Sequence, residues 1–197
     1  MDEKPEWWAS PAVLGLMGFG LTTMMAGLSN LPSPYGNGFT GNWAIFGLAI
    51  AFGGVAQIIA GIIGLRKGNL FAGTAFVGYG AFWLSFTMIA STIPAGLVFF
   101  YGLSAFAFLW MMFTLTFLIN SMKHGWGMFF LFLFLFVSFA LLVAKYWQLA
   151  SNKVGYVLPS GEAWAVGGLL ILTGLTAWYV ATADLTNWNY GRKVLPV

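Results

Sequence analysis

Cysteine is absent from this 197-residue chain and histidine occurs once. The first absence excludes disulfides and thiolate metal sites. The second excludes a multi-histidine metal or haem site within one chain. Charge is scarce as well. Only 7% of the residues are charged and 60% are hydrophobic, whereas a soluble domain carries about 25% charged residues to cover its surface. The outer surface must therefore face something other than water, and lipid is the simple answer. The net charge of +3 comes from basic residues scattered between apolar runs, which does not point to nucleic acid. The N-terminal MDEKPEWW is acidic and lacks the basic n-region of a secretory signal peptide, so it is expected to be retained.

What is present is a series of long apolar stretches. A helix needs about 20 residues to cross roughly 30 Å of hydrocarbon. Six stretches qualify, at about 12–30, 42–65, 70–91, 96–119, 126–147 and 163–183. Turn chemistry separates them: LPSPYGNG, RKGN, STIPAG, NSMKHG and SNKVGYVLPSGE. The runs are continuous and do not alternate in period two, which disfavours strands. Backbone groups in lipid must be satisfied internally, which favours helices. The expected fold is an all-α integral membrane protein, a single transmembrane domain over residues 1–197 with six transmembrane helices. Basic residues set its orientation. With the N-terminus cytoplasmic, Lys4, Arg66, Lys67, Lys123, Arg192 and Lys193 fall inside, and only Lys145 and Lys153 outside. Both termini are then cytoplasmic. Trp7, Trp8, Trp43, Trp126, Trp147, Trp164 and Trp188 fall near span ends, where an aromatic belt would hold them.

The membrane interior has little that titrates. No Asp, Glu, Lys, Arg or His lies between Glu6 and Arg66, or between Lys67 and Lys123. Ionisable residues inside a membrane usually mark proton relays and ion-coupled pumps. The carboxylates near a span, Glu162 and Asp184, lie at the ends of the sixth and read as interfacial. Lys145 reads as snorkelling from the end of the fifth span, and His124 as a solvated loop residue. A convergent set of acid, base, nucleophile or metal ligands is missing, which argues against catalysis. No cofactor or metal is expected.

Several motifs remain. Ser10-Pro11 opens the first span, with Ser a good N-cap and Pro favoured at the first helical position. Such a start either caps a helix and nothing more, or turns free N–H groups toward one mouth as an anion site. Glycines flank Phe19 in LMGFGLTT and Tyr79 in FVGYGAFW. Glycine lets backbones approach closely, so each aromatic can project into a narrow space, or simply pack against lipid. Ala56, Ala60 and Gly64 recur every four residues and read as a helix–helix seam. Gln57 sits deep in the second span. An amide there must hydrogen-bond, either to another helix or to a pore ligand. Thr22, Thr23, Thr74, Ser85, Thr87, Thr114, Ser138 and Thr173 offer hydroxyls, although most transmembrane Ser and Thr bond their own helix.

Three of these segments resemble a known family. SPAVLGLMGFGLTT is similar to the signature of the acetate uptake transporters, also called succinate–acetate permeases, which reads Asn-Pro-Ala-Pro-Leu-Gly-Leu before a Gly-Phe-Gly-like segment. Ser10 stands here for the Asn and Val13 for the second Pro. Residues 53–83, with Tyr79, Gly80, Phe82 and Trp83 forming a YGxFW block, resemble the family too, as does the ending YGRKVLPV. The resemblance spans about the whole chain, with the same span count. It implies a homo-hexamer with one pore per subunit in the prokaryotic cytoplasmic (inner) membrane, carrying acetate and sometimes succinate. It also implies an apolar constriction of Phe19, Tyr79 and Leu135, the last placed by the downstream FALL at 139–142. Ser10, Gln57 and Thr22 are assigned with it to the substrate path. Two other readings stay open: a pore for neutral solutes such as ammonia, and a membrane assembly protein that transports nothing.

Overall fold

The computed structural model describes residues 9–33, 36–37, 43–93, 96–152 and 159–197. Lys4, Trp7, Trp8 and Lys153 lie outside them. The first helix, α1, runs Ala12–Asn30. Pro11 already has helical torsions, and the Ser10 Oγ accepts the Ala12 N–H at 3.3 Å. The expected Ser-Pro start is therefore in place. A two-residue antiparallel pair follows, β1 (Pro32–Ser33) with β2 (Gly36–Asn37). The second membrane crossing is not one uniform helix. It consists of α2 (Trp43–Ile50), a π-helical segment (Ala51–Ala56) and α3 (Gln57–Arg66). Next come α4 (Leu70–Thr92), α5 (Leu97–Ser121), α6 (Trp126–Ser151) and α7 (Ser160–Tyr190). The RKGN turn carries Gly68 at φ +80°, and the side chain of its last residue, Asn69, accepts the Ala72 N–H at 2.9 Å to cap α4.

Among the described residues, six stretches are long and apolar enough to cross a membrane. The chain is a six-span helical membrane protein. The sixth span, α7, has 31 residues and is about 46 Å long, well beyond the expected 163–183. Its excess length follows from polar ends that reach past the hydrocarbon on both sides. Trp126, Trp147, Trp164 and Trp188 are all exposed near helix ends, the places an aromatic belt occupies.

Glycines decide which helices touch. α1 and α7 run antiparallel with Gly20 against Gly174 and Gly27 against Gly167. A Cβ at Gly20 would stand 2.9 Å from the Gly174 carbonyl oxygen, and one at Gly27 would stand 2.7 Å from that of Gly167. α3 meets α4 in the same way. Gly64 lies against Gly73, and a Cβ at Gly61 would stand 2.6 Å from the Val77 nitrogen. The seam expected from Ala56, Ala60 and Gly64 is built mainly by Ala60, Gly61 and Gly64, which are buried, while Ala56 is half-buried. These pairings place the Ser10 end of α1 beside the C-terminal end of α3, where the Lys67 Nζ donates to the Ala9 carbonyl at 3.5 Å. At the same end of the molecule, Gly191 at φ +60° turns the C-terminal tail back on α7. There the Asn187 Oδ1 accepts the N–H groups of Val194 and Leu195 at 2.6 and 2.9 Å.

Candidate functional site: an apolar passage divided by Phe19 and Tyr79

The two aromatics singled out by their flanking glycines meet. The Phe19 and Tyr79 rings lie 5.4 Å apart at 58°, and both side chains are buried. The glycines explain how. A Cβ at Gly18 would stand 2.6 Å from the Phe52 carbonyl oxygen, and one at Gly80 would stand 2.9 Å from the Gly54 carbonyl oxygen. The π-helical segment is thus wedged between α1 and α4, with one of its carbonyls on each. This close approach holds the two helices at the separation their rings can bridge. Tyr79 is further fixed by a hydrogen bond between its hydroxyl and the Thr114 Oγ1 at 3.0 Å, and by edge contact with Phe113 at 5.3 Å.

Two cavities flank this pair, and Phe19 and Tyr79 line both. The Ser10-side chamber has about 310 Å³ of empty space, part of it open to the surface. Its walls come from the first turns of α4 and α6, with Leu16, Leu131 and Gln57. The Asn30-side chamber is larger, with about 540 Å³ of empty space, part of it likewise open to the surface, and is walled by Thr23, Asn30, Trp83, Leu135, Ser138 and Tyr146 among others. One aromatic pair therefore divides a mostly apolar passage into two compartments. Leu135 is buried and lies on the Asn30 side of the pair.

The polar groups are few. Gln57 is 0% exposed, and neither its Nε2 nor its Oε1 has a hydrogen-bond partner among the described residues. An amide buried in this way costs roughly 1–3 kcal/mol until something bonds it. On the Asn30 side, the Thr23 Oγ1 and the Trp83 Nε1 are likewise buried and unpartnered among the described residues. Ser138 and Thr173 share a hydrogen bond at 3.3 Å.

Not every expected site residue reaches the passage. Ser10 is exposed at the start of α1 and lines neither chamber. Thr22 is buried but faces α2 and the π segment. Its Oγ1 donates to the Leu48 carbonyl at 3.5 Å, and a Cβ on Gly53 would touch it at 2.6 Å. The next residue, Thr23, takes the place in the chamber wall. On a helix, neighbouring residues point about 100° apart, so motif spacing did not separate them. Trp83 belonged to the YGxFW block without a role of its own. Its buried indole N–H becomes informative only when its neighbours are known.

Two side-chain readings are corrected. Lys145 does not simply snorkel outward: it is half-buried and donates to the Asn30 Oδ1. The Asn30 amide is oriented for this because its Nδ2 donates to the Ala26 carbonyl at 2.7 Å. His124 is exposed but not merely solvated, since its ring stacks on Phe71 at 4.1 Å. Glu162 lies exposed in the first turn of α7, and Asp184 is half-buried near its other end.

These features define a polytopic helical membrane protein with two mostly apolar cavities inside one chain, separated by an aromatic pair. The chain belongs to the GPR1/FUN34/yaaH family, whose pattern it matches over residues 3–195. It is 35% identical over 192 residues to the succinate-acetate/proton symporter SatP of Escherichia coli K12, covering 96% of this chain and 95% of that protein. It is also 35% identical over 190 residues to the ammonia transport outward protein 2 of Saccharomyces cerevisiae, spanning 91% of this chain but 62% of that longer protein. The solved structure of the bacterial acetate channel SatP superposes with a TM-score of 0.82 at 34% identity, over 96% of this chain and 99% of that one.

Proposed function

We propose that this protein is a channel or transporter for small carboxylates, acetate first and succinate as a further candidate, in the prokaryotic cytoplasmic (inner) membrane. The observation that carries the reading is the buried, unpartnered amide of Gln57 beside the Phe19–Tyr79 pair, in a chain similar to a succinate-acetate symporter and an acetate channel. The role is transport, not catalysis. A carboxylate entering from the Ser10 side meets the Gln57 N–H donors, while its methyl group lies against Leu16 and Leu131. It then crosses the ring formed by Phe19, Tyr79 and Leu135. Beyond the ring, the Thr23 hydroxyl and the Trp83 N–H offer donors again. The ring offers nothing polar to replace hydration, so every acid meets the same charge penalty there. Discrimination among acids then rests on ring width.

The Ser10 end is assigned to the cytoplasm. Arg66, Lys67, Lys123, Arg192 and Lys193 follow or precede helix termini at that end, and positive residues favour the inside. Reporter fusions at the C-terminus are expected to read as cytoplasmic. The assembly proposed is a homo-hexamer with one passage per subunit, which native mass measurement tests directly.

A second reading is a pore for neutral solutes such as ammonia. An apolar ring suits such solutes, and one relative is named for ammonia transport. Liposomes containing the purified protein separate the two. Labelled acetate uptake above empty liposomes is expected. Uptake equal to that of empty liposomes, with ammonia still moving, would leave only the neutral-solute reading.

A further inference from the structure

One charge lies behind the wall of the larger chamber without lining it, and the transport reading has not used it. Lys145 lies on α6 at the Asn30 end, and both groups it touches belong to the wall of the larger chamber. Its ammonium donates to the Asn30 Oδ1 and sits 5.5 Å from the centroid of the Tyr146 ring, and Asn30 and Tyr146 both line that cavity. A half-buried ammonium is normally paired with a carboxylate. Here, among the described residues, its partners are a neutral carbonyl oxygen and a ring face. The chain has only five carboxylates. Asp2, Glu3 and Glu6 precede the described residues, Asp184 lies at the Ser10 end of α7, and Glu162 is exposed in the first turn of α7. An ammonium has three N–H donors; Asn30 takes one.

We propose that Lys145, seated on Asn30, is the anion-recruiting site of the Asn30-side chamber: it draws a carboxylate to that mouth and delivers it to the Thr23 and Trp83 donors. This rests on the carboxylate reading above and adds to it a chain-specific cause of selectivity for anions over neutral solutes. The apolar ring cannot supply that selectivity, since it favours neutral species. A positive group at the rim of a low-dielectric cavity raises the local concentration of anions, and its reach falls with ionic strength.

The test compares acetate with acetamide, its uncharged near-isostere, in phosphatidylcholine liposomes containing the full-length protein. Lys145→Met keeps the aliphatic stem and removes the charge; Lys145→Arg keeps the charge. Lys145→Met is expected to raise the half-saturating acetate concentration about fivefold to tenfold with acetamide flux unchanged. Lys145→Arg is expected to restore most of the loss. Added sodium sulfate is expected to weaken acetate entry in the wild type and to leave Lys145→Met flat. An unchanged half-saturation in Lys145→Met, or equal losses for acetate and acetamide, would overturn the inference and leave Lys145 a packing residue. Wild-type liposomes that exclude acetate altogether would remove the carboxylate reading itself, and this inference with it.

Discussion

Two halves of the molecule meet at the Phe19–Tyr79 pair, and they are held together by different means. On one side α1, α3, α4, α7 and the π segment touch backbone to backbone through Gly18, Gly20, Gly27, Gly61, Gly64, Gly80, Gly167 and Gly174. On the other side α5 and α6 pack through large rings. Phe117 stacks on Phe132 at 5.5 Å and Phe100 on Tyr146 at 6.5 Å, with the Ser104 Oγ donating to the Val143 carbonyl at 3.0 Å. Backbone contact cannot yield when a side chain is added, whereas rings can shift and tilt. The glycine half therefore fixes where Phe19 and Tyr79 stand. The aromatic half contributes Leu135 from a wall that can give. In the constriction proposed above, width is then set mainly by the first half.

The sharpest way to break that comparison is to add a methyl group to each half. In Gly20→Ala the new Cβ falls 2.9 Å from the Gly174 oxygen and 3.1 Å from the Trp178 nitrogen. Overpacking of this kind costs about 1–3 kcal/mol, occasionally more. Gly102 on α5 has nothing within 4 Å of its Cβ position among the described residues, and its replacement by Ala is expected to change stability by less than about 1 kcal/mol. Thermal unfolding in detergent, read beside the yield of folded protein, measures both. Equal behaviour of the two variants would show that the glycine contacts are not rigid.

Next in size is the ring itself. Phe19→Ala removes a whole ring from the fixed side, and Leu135→Ala a smaller side chain from the yielding side. The ratio of lactate to acetate uptake is expected to rise about tenfold in Phe19→Ala, a change of roughly 1.4 kcal/mol in relative barrier. A smaller rise is expected in Leu135→Ala, with acetate flux retained in both. Unchanged selectivity among acetate, lactate and succinate in both variants, at normal expression, would make these residues packing and not a gate.

Gln57 sharpens the contrast between a structural bond and a pore role. If its amide joined helices, Gln57→Leu would lose about 1 kcal/mol of stability. Its amide atoms have no partner among the described residues, so Leu is expected to keep or raise stability by about 1 kcal/mol while acetate flux falls. A destabilised variant with normal flux through the folded fraction would end the assignment.

Much of this arrangement was legible in the sequence. The six spans follow from hydrocarbon length alone, whereas the meeting of Phe19 with Tyr79 comes from the family resemblance, since the flanking glycines by themselves leave packing against lipid equally open. The π-helical turn at Ala51–Ala56 was not legible, because AFGGVA reads as ordinary apolar helix. The segment sets two of its carbonyls, those of Phe52 and Gly54, against Gly18 and Gly80. Lys145 was misjudged for a related reason. A lysine near a helix end normally reaches for water, and only the fold shows that Asn30 waits beside it with its oxygen turned inward.

The smallest expected effect separates two adjacent threonines. Both are buried, at 0% for Thr22 and 1% for Thr23, and composition treats them alike. The Thr22 hydroxyl is spent on the Leu48 carbonyl at 3.5 Å, on the side of α1 that faces α2. The Thr23 hydroxyl is unpartnered among the described residues and lies in the wall of the Asn30-side chamber. Valine nearly matches threonine in shape and removes only the hydroxyl. Thr22→Val loses one long hydrogen bond, worth at most about 0.5 kcal/mol, and is expected to carry acetate at the wild-type rate. Thr23→Val takes a donor from the passing carboxylate and is expected to lower acetate flux about threefold, roughly 0.65 kcal/mol in relative barrier, with acetamide less affected and stability unchanged or slightly raised. Initial uptake rates for the two variants, normalised to folded protein, decide the matter. A loss in Thr22→Val with none in Thr23→Val would mean that the carboxylate follows the α2 side of α1, and that the larger chamber is not its path.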